Sequence, residues 1–377
     1  MKVLYIGCYR DGTGWAKAAI DYILSMDSVG IDVVCRPLKL NQTQAEIPER
    51  IIQLENKPSS GCDVCIQHTL PHYMDYNGKF KKNIALYATE TDSFGSSTWP
   101  RHINTMDEAW VINNQMVEAS KKSGIKIPIK VIPHASDVEK FNQDHPHMEI
   151  PQANNDFIFY FLGDMTRRKN LVALMKAFHL EFEYNEPVSL LIKSNKYGLT
   201  PEECVQKLKE MSQAVKENLK LYPDEQLYKE ELFVTDYLSD NQIIQLHRAC
   251  DCFVMPSYGE AWCIPAFDAM GFGKTPICTD IGGMSDFLSD GAGLLVSSTQ
   301  EPVFGMTDTF QDICSSREDW AQINVRDLQK KMRSVYELQQ HDEPEYKKLQ
   351  QRGIDKAQEY SYKKIGEIIK RELSNVS

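Results

Sequence analysis

The sequence predicts an α/β protein with two doubly wound domains, and three observations support this prediction. Short runs rich in Val, Ile, Leu and Phe alternate with helical patterns along the whole chain. Most of these runs are continuously apolar, as in strands that are buried on both faces of a parallel sheet. The chain has 377 residues, whereas a single hydrophobic core rarely extends beyond about 250–300 residues.

Each half of the chain contains six predicted strands. In the first half they are residues 3–6, 31–35, 63–67, 84–88, 109–112 and 130–132. In the second half they are residues 157–162, 188–192, 232–235, 252–255, 275–278 and 293–296. Helical patterns lie between them: residues 171–178 carry an i, i+3, i+4, i+7 apolar stripe, and residues 201–220 and 320–338 are rich in helix formers. This repeated alternation is typical of doubly wound units.

The predicted boundary between the domains lies in residues 145–155, HPHMEIPQANN. The segment contains two prolines, has no periodicity and precedes a long apolar strand, which is the pattern of a linker. We therefore assign residues 1–150 to a first domain and residues 151–361 to a second.

Composition narrows the class of function. The chain carries 53 acidic and 42 basic side chains, for a net charge of −11, which argues against nucleic-acid binding and against binding to anionic membranes. No apolar run approaches the roughly 20 residues that span a bilayer, and the N-terminus has the pattern of a first strand instead of a signal peptide. The ten cysteines are scattered, as expected of reduced thiols in a cytoplasmic protein.

Residues 252–283 are the most informative segment. A buried strand leads into the loop 256–262, and a helix begins near Pro265. Ligands of open α/β sheets bind at the carboxyl ends of strands, and a helix N-terminus suits a diphosphate. Glu260 and Asp268 are then candidates to bind hydroxyl groups, since carboxylates accept hydrogen bonds from diols. The alternative is that Glu260 is a solvated loop residue and that Asp268 interacts with the helix dipole.

This segment resembles a known family. Glu260, seven residues, Asp268 and then Ala-Met-Gly-Phe-Gly resemble the E-x7-E signature of retaining GT-B glycosyltransferases, in particular glycosyltransferase family 4 (group 1). The family pattern is P-S-x-x-E-G-F-G-x-P-x-x-E-A-M-A-x-G. This chain departs from it with Ala261-Trp262-Cys263 for Gly-Phe-Gly and with Asp268 for the second Glu. The resemblance implies GT-B architecture: two Rossmann-like domains facing a central cleft, with acceptor bound by the first and nucleotide sugar by the second.

A second match lies in residues 161–171, FLGDMTRRKNL. It resembles the family's strand–loop–helix in which a basic pair binds the nucleotide diphosphate. Lys169 matches the family lysine, whereas Asp164 stands where the arginine is expected, so that Arg167 or Arg168 is left to replace it. Such contacts can hold two phosphates without a metal. The alternative is a solvated basic patch.

Three further resemblances concern the first domain. Residues 12–15, Gly-Thr-Gly-Trp, resemble the family's glycine-rich loop, which makes Gly14 a candidate neighbour of the donor phosphates. Glu90 occupies the place of a family histidine, which makes it a candidate acceptor-side carboxylate; His68 is a second candidate, with a structural histidine as the alternative. Residues 131–141 and the motif Tyr-Ser-Tyr at 360–362 resemble V-I-P-N-G-V-D-x-x-x-F and F-S-W. The last motif implies a final helix, about 362–377, that packs on the first domain.

Other signatures fail. The tripeptide at residues 273–275, Gly-Lys-Thr, imitates a Walker A loop, but Asp268 stands where its first glycine would be. The chain has no D-x-D motif, which weighs against a metal-dependent GT-A transferase, and we expect no metal cofactor.

The predicted function is metal-independent, retaining transfer of a hexosyl group from a nucleotide-diphosphate sugar to a hydroxyl of a glycan, a lipid-linked sugar or a small molecule. Membrane contact is expected only for a lipid-linked acceptor. The resemblance implies these catalytic candidates: Glu260, Lys169, Arg168 and Glu90. It implies these donor-binding candidates: Gly14, Arg167, Lys169, Glu260, Ala261, Trp262, Cys263, Ile264 and Asp268. Open alternatives are a GT-B sugar-nucleotide epimerase, a phosphorylase, or a non-catalytic sugar-nucleotide-binding protein.

Overall fold

The computed structural model describes residues 1–40, 45–153, 156–307, 309 and 312–374. The chain forms two compact units: unit 1 comprises Met1–Lys140, Pro302–Asp319 and Gln358–Ser377, and unit 2 comprises Phe141–Glu301 and Trp320–Ala357. Each unit contains a six-stranded parallel sheet. The predicted α/β class with two doubly wound units is confirmed.

Unit 1 is built on the strand order β2-β1-β3-β4-β5-β6. Most strand residues are buried because helices cover the sheet, as in other parallel sheets. In chain order the elements are β1 (Lys2–Gly7), α1 (Gly14–Ser28), β2 (Asp32–Pro37), α2 (Glu49–Glu55), β3 (Val64–His68), β4 (Lys82–Leu86), α3 (Trp99–Ile103), β5 (Glu108–Val111), α4 (Asn114–Lys122) and β6 (Ile129–Val131).

Unit 2 has the strand order β12-β11-β10-β7-β8-β9. Its first elements are β7 (Phe157–Leu162), α5 (Leu171–Glu181), β8 (Val188–Lys193), α6 (Pro201–Leu219), β9 (Glu231–Val234), α7 (Asp240–Ala249) and β10 (Cys252–Met255). The remaining elements of the chain are α8 (Ile264–Gly271), β11 (Ile277–Thr279), α9 (Gly282–Phe287), β12 (Leu294–Val296), β13 (Ser298–Pro302), β14 (Asp319–Ile323), α10 (Val325–His341), α11 (Glu343–Ala357) and α12 (Tyr362–Ser374).

The observed unit boundaries differ from the domain boundaries predicted from the sequence. Unit 2 begins at Phe141, ten residues before the boundary at 150/151, because the Phe141 ring packs edge-on against Phe272, with ring centroids 4.9 Å apart. Residues 358–377 belong to unit 1, where α12 lies against α1. Residues 154–155 of the predicted linker and 375–377 of the predicted last helix lie outside the described residues.

One helix prediction was wrong at its start. Trp320 was expected to open a helix, but it lies in β14, and α10 begins five residues later at Val325. The Asn324 side chain caps α10 by accepting hydrogen bonds from the backbone N–H groups of Arg326 and Asp327, which fixes the start of the helix. Among the described helices, none has both the length and the apolar character needed to cross a bilayer.

Candidate functional site

Two loops meet at the carboxyl edge of the unit 2 sheet. The basic loop, residues 163–170, follows β7, and the carboxylate loop, residues 256–263, follows β10. Strands β7 and β10 are neighbours and run parallel, so their carboxyl ends lie side by side. This is the position at which open α/β sheets bind ligands.

Hydrogen bonds join the two loops along their length. The backbone N–H of Tyr258 donates to the Arg168 carbonyl at 2.8 Å, and the buried side chain of Asn170 donates to the Pro256 carbonyl at 3.1 Å. Asn170 adopts a left-handed conformation, with φ of 57°, which asparagine tolerates better than most residues. The two loops therefore form one connected surface.

Glu260 is the centre of this surface. Its side chain is buried, with 6% of its area exposed, and Oε1 accepts hydrogen bonds from Lys169 Nζ at 2.7 Å and Arg168 Nη1 at 2.9 Å. Burial alone would raise the pKa of Glu260, but the charges of Lys169 and Arg168 outweigh it and hold the pKa below its ordinary value. Glu260 is thus a buried, ionised carboxylate held by two cations.

The three adjacent cations do different things. Arg168 also donates from Nη1 to the Gly259 carbonyl, so its guanidinium is committed to the carboxylate loop. Arg167 is exposed, and its guanidinium lies 5.6 Å from the centre of the Tyr258 ring, a cation–π arrangement. Tyr258 in turn stacks on Trp320, with centroids 4.2 Å apart and planes 14° from parallel. The basic segment is therefore not a uniformly solvated patch.

The start of α8 follows the carboxylate loop directly. Cys263 caps the helix in a left-handed conformation, with φ of 70°, at the position where the resembled family has glycine. Ala261 accepts a hydrogen bond from the Gly283 N–H at 3.0 Å, and Trp262 is buried against Phe287. Ile264 is the first residue of the helix.

Asp268 lies in the second turn of α8 and is half-buried. The pKa of the buried Tyr160 phenol is raised chiefly by burial and additionally by neighbours that include Asp268. Asp268 thus lies in unit 2, as Glu260 does.

Gly282 and Gly283 support the site and were not predicted as site residues. A Cβ atom on Gly282 would lie 1.7 Å from the Glu260 carbonyl oxygen, and one on Gly283 would lie 2.5 Å from the Trp262 ring. Gly282 also has a positive φ of 56°, which favours glycine. The Gly-Gly pair can be recognised in the sequence, but its contacts with Glu260 and Trp262 cannot.

Gly14 and Glu90 lie in unit 1. Gly14 is the first residue of α1, capped by Thr13, whose side chain accepts a hydrogen bond from the Ala16 N–H. Among the residues that the structure describes, none beyond the adjacent backbone comes within 4 Å of a Cβ atom placed on Gly14. Glu90 is half-buried in the loop after β4, at the carboxyl edge of this unit's sheet.

His68 has a densely aromatic environment. It ends β3, is 2% exposed, and its Nδ1 lies 2.6 Å from the Tyr5 hydroxyl. The Trp15 ring lies 5.2 Å away, centre to centre. Burial, with a smaller contribution from His134, lowers the pKa of His68 to about 3, so the imidazole is neutral. These contacts favour the structural interpretation of this histidine.

A family model matches the segment that contains both the basic loop and the carboxylate loop. Residues 143–312 match the family model of glycosyl transferases group 1. This part of the chain is therefore similar to group 1 glycosyltransferases. The resemblance inferred from the Glu260–Asp268 segment is confirmed at the level of group 1.

Two curated relatives align with shorter stretches. The D-inositol 3-phosphate glycosyltransferase of Nocardia farcinica is 39% identical over 56 residues, which is 15% of this chain and 12% of that protein. The lipopolysaccharide 1,2-N-acetylglucosaminetransferase of Salmonella typhimurium is 22% identical over 167 residues, which is 43% of this chain and 41% of that protein. The chain thus spans less than half the length of these curated relatives.

A solved structure extends the fold comparison to the whole chain. Anabaena HepE in complex with UDP-glucose superposes with a TM-score of 0.67 at 13% identity, covering 99% of each chain. At this identity the comparison establishes the fold, which is the predicted GT-B architecture of two doubly wound units.

Proposed function

We propose that the protein is a retaining glycosyltransferase that moves a sugar from a nucleotide-diphosphate sugar to a hydroxyl acceptor. The observation that carries the proposal is the buried Glu260 carboxylate, held by Lys169 and Arg168 at the carboxyl edge of the sheet inside the segment that matches the group 1 family model. Positive charge placed in advance where a leaving group becomes anionic is usually a large catalytic contribution.

The cations divide the work in this proposal. Arg168 bonds both Gly259 and Glu260 and orients the carboxylate. Arg167 has an exposed guanidinium over Tyr258, so it can turn to a phosphate without leaving a buried charge behind. Lys169 exchanges its contact with Glu260 for the diphosphate when donor binds. Arg167 then takes the place of the family arginine that Asp164 replaces.

Glu260, released by Lys169, binds hydroxyls of the donor sugar, and Asp268 binds the ribose hydroxyls. Backbone N–H groups at the start of α8, from Ala261 to Ile264, add the positive end of a helix. In unit 1, Glu90 binds the acceptor, and Gly14 is the candidate for a backbone contact with the donor phosphates.

The proposed reaction needs no metal, since Lys169 and the arginines supply the charge that a metal would. The bond from the anomeric carbon to the diphosphate breaks as the acceptor hydroxyl attacks the same face of the sugar. The proton of that hydroxyl passes to the departing phosphate oxygen, and the anomeric configuration is retained. All ten cysteines are free thiols, which supports a cytoplasmic location.

The test uses purified full-length protein and a panel of donors: UDP-glucose, UDP-N-acetylglucosamine and GDP-mannose. Calorimetry should detect binding of UDP or GDP, with weaker binding of the monophosphate. Slow donor hydrolysis in the presence of EDTA should release the sugar, and early NMR spectra should show its anomeric configuration retained.

Three results would contradict parts of this proposal. An epimerised nucleotide sugar would indicate an epimerase, and phosphorolysis of a glycan would indicate a phosphorylase. Nucleotide binding without turnover of any donor or acceptor in a broad panel would indicate a binding protein.

A further inference from the structure

A segment far along the chain folds onto the loop that carries Glu90. The insert, Pro302–Asp319, connects two strands, β13 and β14, yet it belongs to unit 1. We call residues 87–98, which follow β4, the Glu90 loop. The Thr98 N–H in this loop donates to the Asp312 carboxylate of the insert at 3.2 Å.

The two segments are also joined by reciprocal hydrogen bonds. The Asp92 N–H donates to the Asp319 carbonyl at 2.9 Å, and the Asp319 N–H donates to Asp92 Oδ1 at 2.7 Å. The Asp92 carboxylate also forms an ion pair with Lys122 of α4. The backbone two residues after Glu90 is therefore tied to the insert in both directions.

Glu318 is the central side chain of this contact. It is 1% exposed, and its Oε1 accepts a hydrogen bond from the Ser96 hydroxyl at 3.2 Å. The Thr91 hydroxyl donates within the Glu90 loop, to the Ser93 carbonyl at 2.8 Å. Ser96 lies in the same loop as Glu90, so Glu318 adds a side-chain bond to the backbone bonds between Asp92 and Asp319.

The buried carboxyl group of Glu318 is not expected to stabilise the fold. Glu318 Oε2 has no hydrogen-bond partner among the described residues, and no described ion pair involves Glu318. Leaving such an atom buried is unfavourable, whereas a neutral or apolar side chain would pack without that penalty. The gain must lie in the geometry that Glu318 imposes on the Glu90 loop.

We propose that Glu318 is a positioning residue: by bonding Ser96 it holds the Glu90 loop in the conformation in which Glu90 acts on the acceptor. The inference rests on the proposed function, because it takes Glu90 as the acceptor-side carboxylate. The insert thereby becomes the element of unit 1 that sets acceptor use, and Glu318 acts only through Glu90.

The first test measures loop order without any ligand. Hydrogen–deuterium exchange of residues 91–98 should be at least tenfold faster in Glu318→Ala than in the wild type. Glu318→Gln should stay within about twofold, because its amide oxygen still accepts from Ser96. Arg317→Ala, a change at the adjacent exposed residue, is the matched control and should have no effect.

Ser96→Ala removes the same hydrogen bond from the other side and keeps the test decisive if Glu318→Ala does not fold. Faster exchange in Ser96→Ala would support the inference. Unchanged exchange in residues 91–98 of both Ser96→Ala and any folded Glu318→Ala would overturn it.

The second test is a double-mutant cycle on donor hydrolysis, with water as acceptor and UDP-glucose as probe. Glu318→Ala should lower kcat about tenfold and leave KM for UDP-glucose unchanged, and Glu318→Gln should restore kcat. In a Glu90→Gln background, Glu318→Ala should have no further effect.

The outcomes separate the two proposals. Additive effects of Glu318→Ala and Glu90→Gln would show that Glu318 does not act through Glu90, and would overturn the inference while leaving the proposed function standing. Failure of the wild type to turn over every donor in the panel would contradict the proposed function, and the exchange experiment would still decide whether Glu318 orders the loop.

Discussion

Two buried glutamates, one in each unit, have opposite surroundings. Glu260 in unit 2 is 7% exposed and Glu318 in unit 1 is 1% exposed. Burial raises the pKa of both, but the charges of Lys169 and Arg168 bring the pKa of Glu260 below its ordinary value. Glu318 accepts a hydrogen bond from the neutral Ser96 hydroxyl, and burial, with a smaller contribution from Asp92, raises its pKa above the ordinary value.

The difference shows that burial does not determine the charge of a carboxyl group; its partners do. The edge of unit 2 concentrates positive charge around one carboxylate, which suits an anionic ligand such as a diphosphate. Around Glu318 in unit 1, no described ion pair supplies such a charge, and the described hydrogen-bond donor is the neutral Ser96 hydroxyl. The two buried glutamates thus lie in electrostatically different surroundings.

The largest expected effect comes from removing the positive charge of Lys169 beside Glu260. Lys169→Ala should lower turnover of the donor about 10³-fold, because the leaving diphosphate loses a preorganised cation. The measurement is kcat for donor hydrolysis or transfer, with circular dichroism as the check on folding.

Lys176→Ala is the matched control for Lys169→Ala, since Lys176 is an exposed lysine on the following helix, α5. It should leave turnover within twofold of the wild type. Equal activity of Lys169→Ala and Lys176→Ala would remove Lys169 from the site.

A somewhat smaller effect on kcat is expected when the Glu260 carboxylate is replaced by a neutral side chain. Glu260→Gln should lower kcat about 10²-fold, since the sugar hydroxyls lose a charged acceptor. It should also tighten binding of UDP or GDP several-fold, because Lys169 and Arg168 no longer have a carboxylate that competes with the diphosphate. Calorimetry and steady-state kinetics on the same protein distinguish the two effects, and weaker nucleotide binding would contradict this account.

A third buried glutamate shows what cation pairing does away from the edge. Glu231 accepts hydrogen bonds from Lys216 Nζ at 2.9 Å and the Ser212 hydroxyl at 2.6 Å, and it contacts His179. Despite burial, these partners lower the pKa of Glu231 to about 2. This carboxylate joins β9 to α5 and α6, so its pairing stabilises the fold.

Lys216→Met should therefore lower the free energy of unfolding by about 2 kcal/mol, as expected for a lost charged hydrogen bond, and leave kcat unchanged. Urea unfolding at pH 7 measures the free energy of unfolding, and donor turnover measures kcat. Wild-type stability from Glu231 should be present above about pH 4.5 and decline as pH falls toward 2. A fall in kcat without loss of stability would contradict the structural role.

Much of unit 2 could be predicted from the sequence because its signals are local. The strands 157–162 and 252–255 were found with the observed bounds, since strands buried on both faces are continuously apolar. The motif residues Lys169 and Glu260 follow those two strands, and neighbouring parallel strands bring them together. Their specific roles, and those of Arg167 and Arg168, remain predictions.

The insert could not be predicted because its contacts are not local. Asp319 and Asp92 are 227 positions apart, and no periodic pattern connects them. The charged residues after Trp320 favoured a helix, whereas pairing of β13 with β14 makes residues 319–323 a strand. The requirement for glycine at position 282 could not be predicted either, because the atom that excludes a side chain there is the Glu260 carbonyl oxygen.

The smallest expected effect is a difference in the pH dependence of stability, and its sign differs between the two glutamates. The pKa of Glu318 is raised in the folded protein, so wild-type stability falls as pH rises above about 4.5, where the unfolded chain already loses this proton. Glu318→Gln removes that loss, and its stability relative to the wild type should be greater at pH 7 than at pH 4. The pKa of Glu260 is lowered, so Glu260→Gln should be less stable relative to the wild type at pH 7 than at pH 4. Urea unfolding of the three proteins at both pH values measures this, and differences of the same sign would show that the two carboxyl groups do not carry opposite charge preferences.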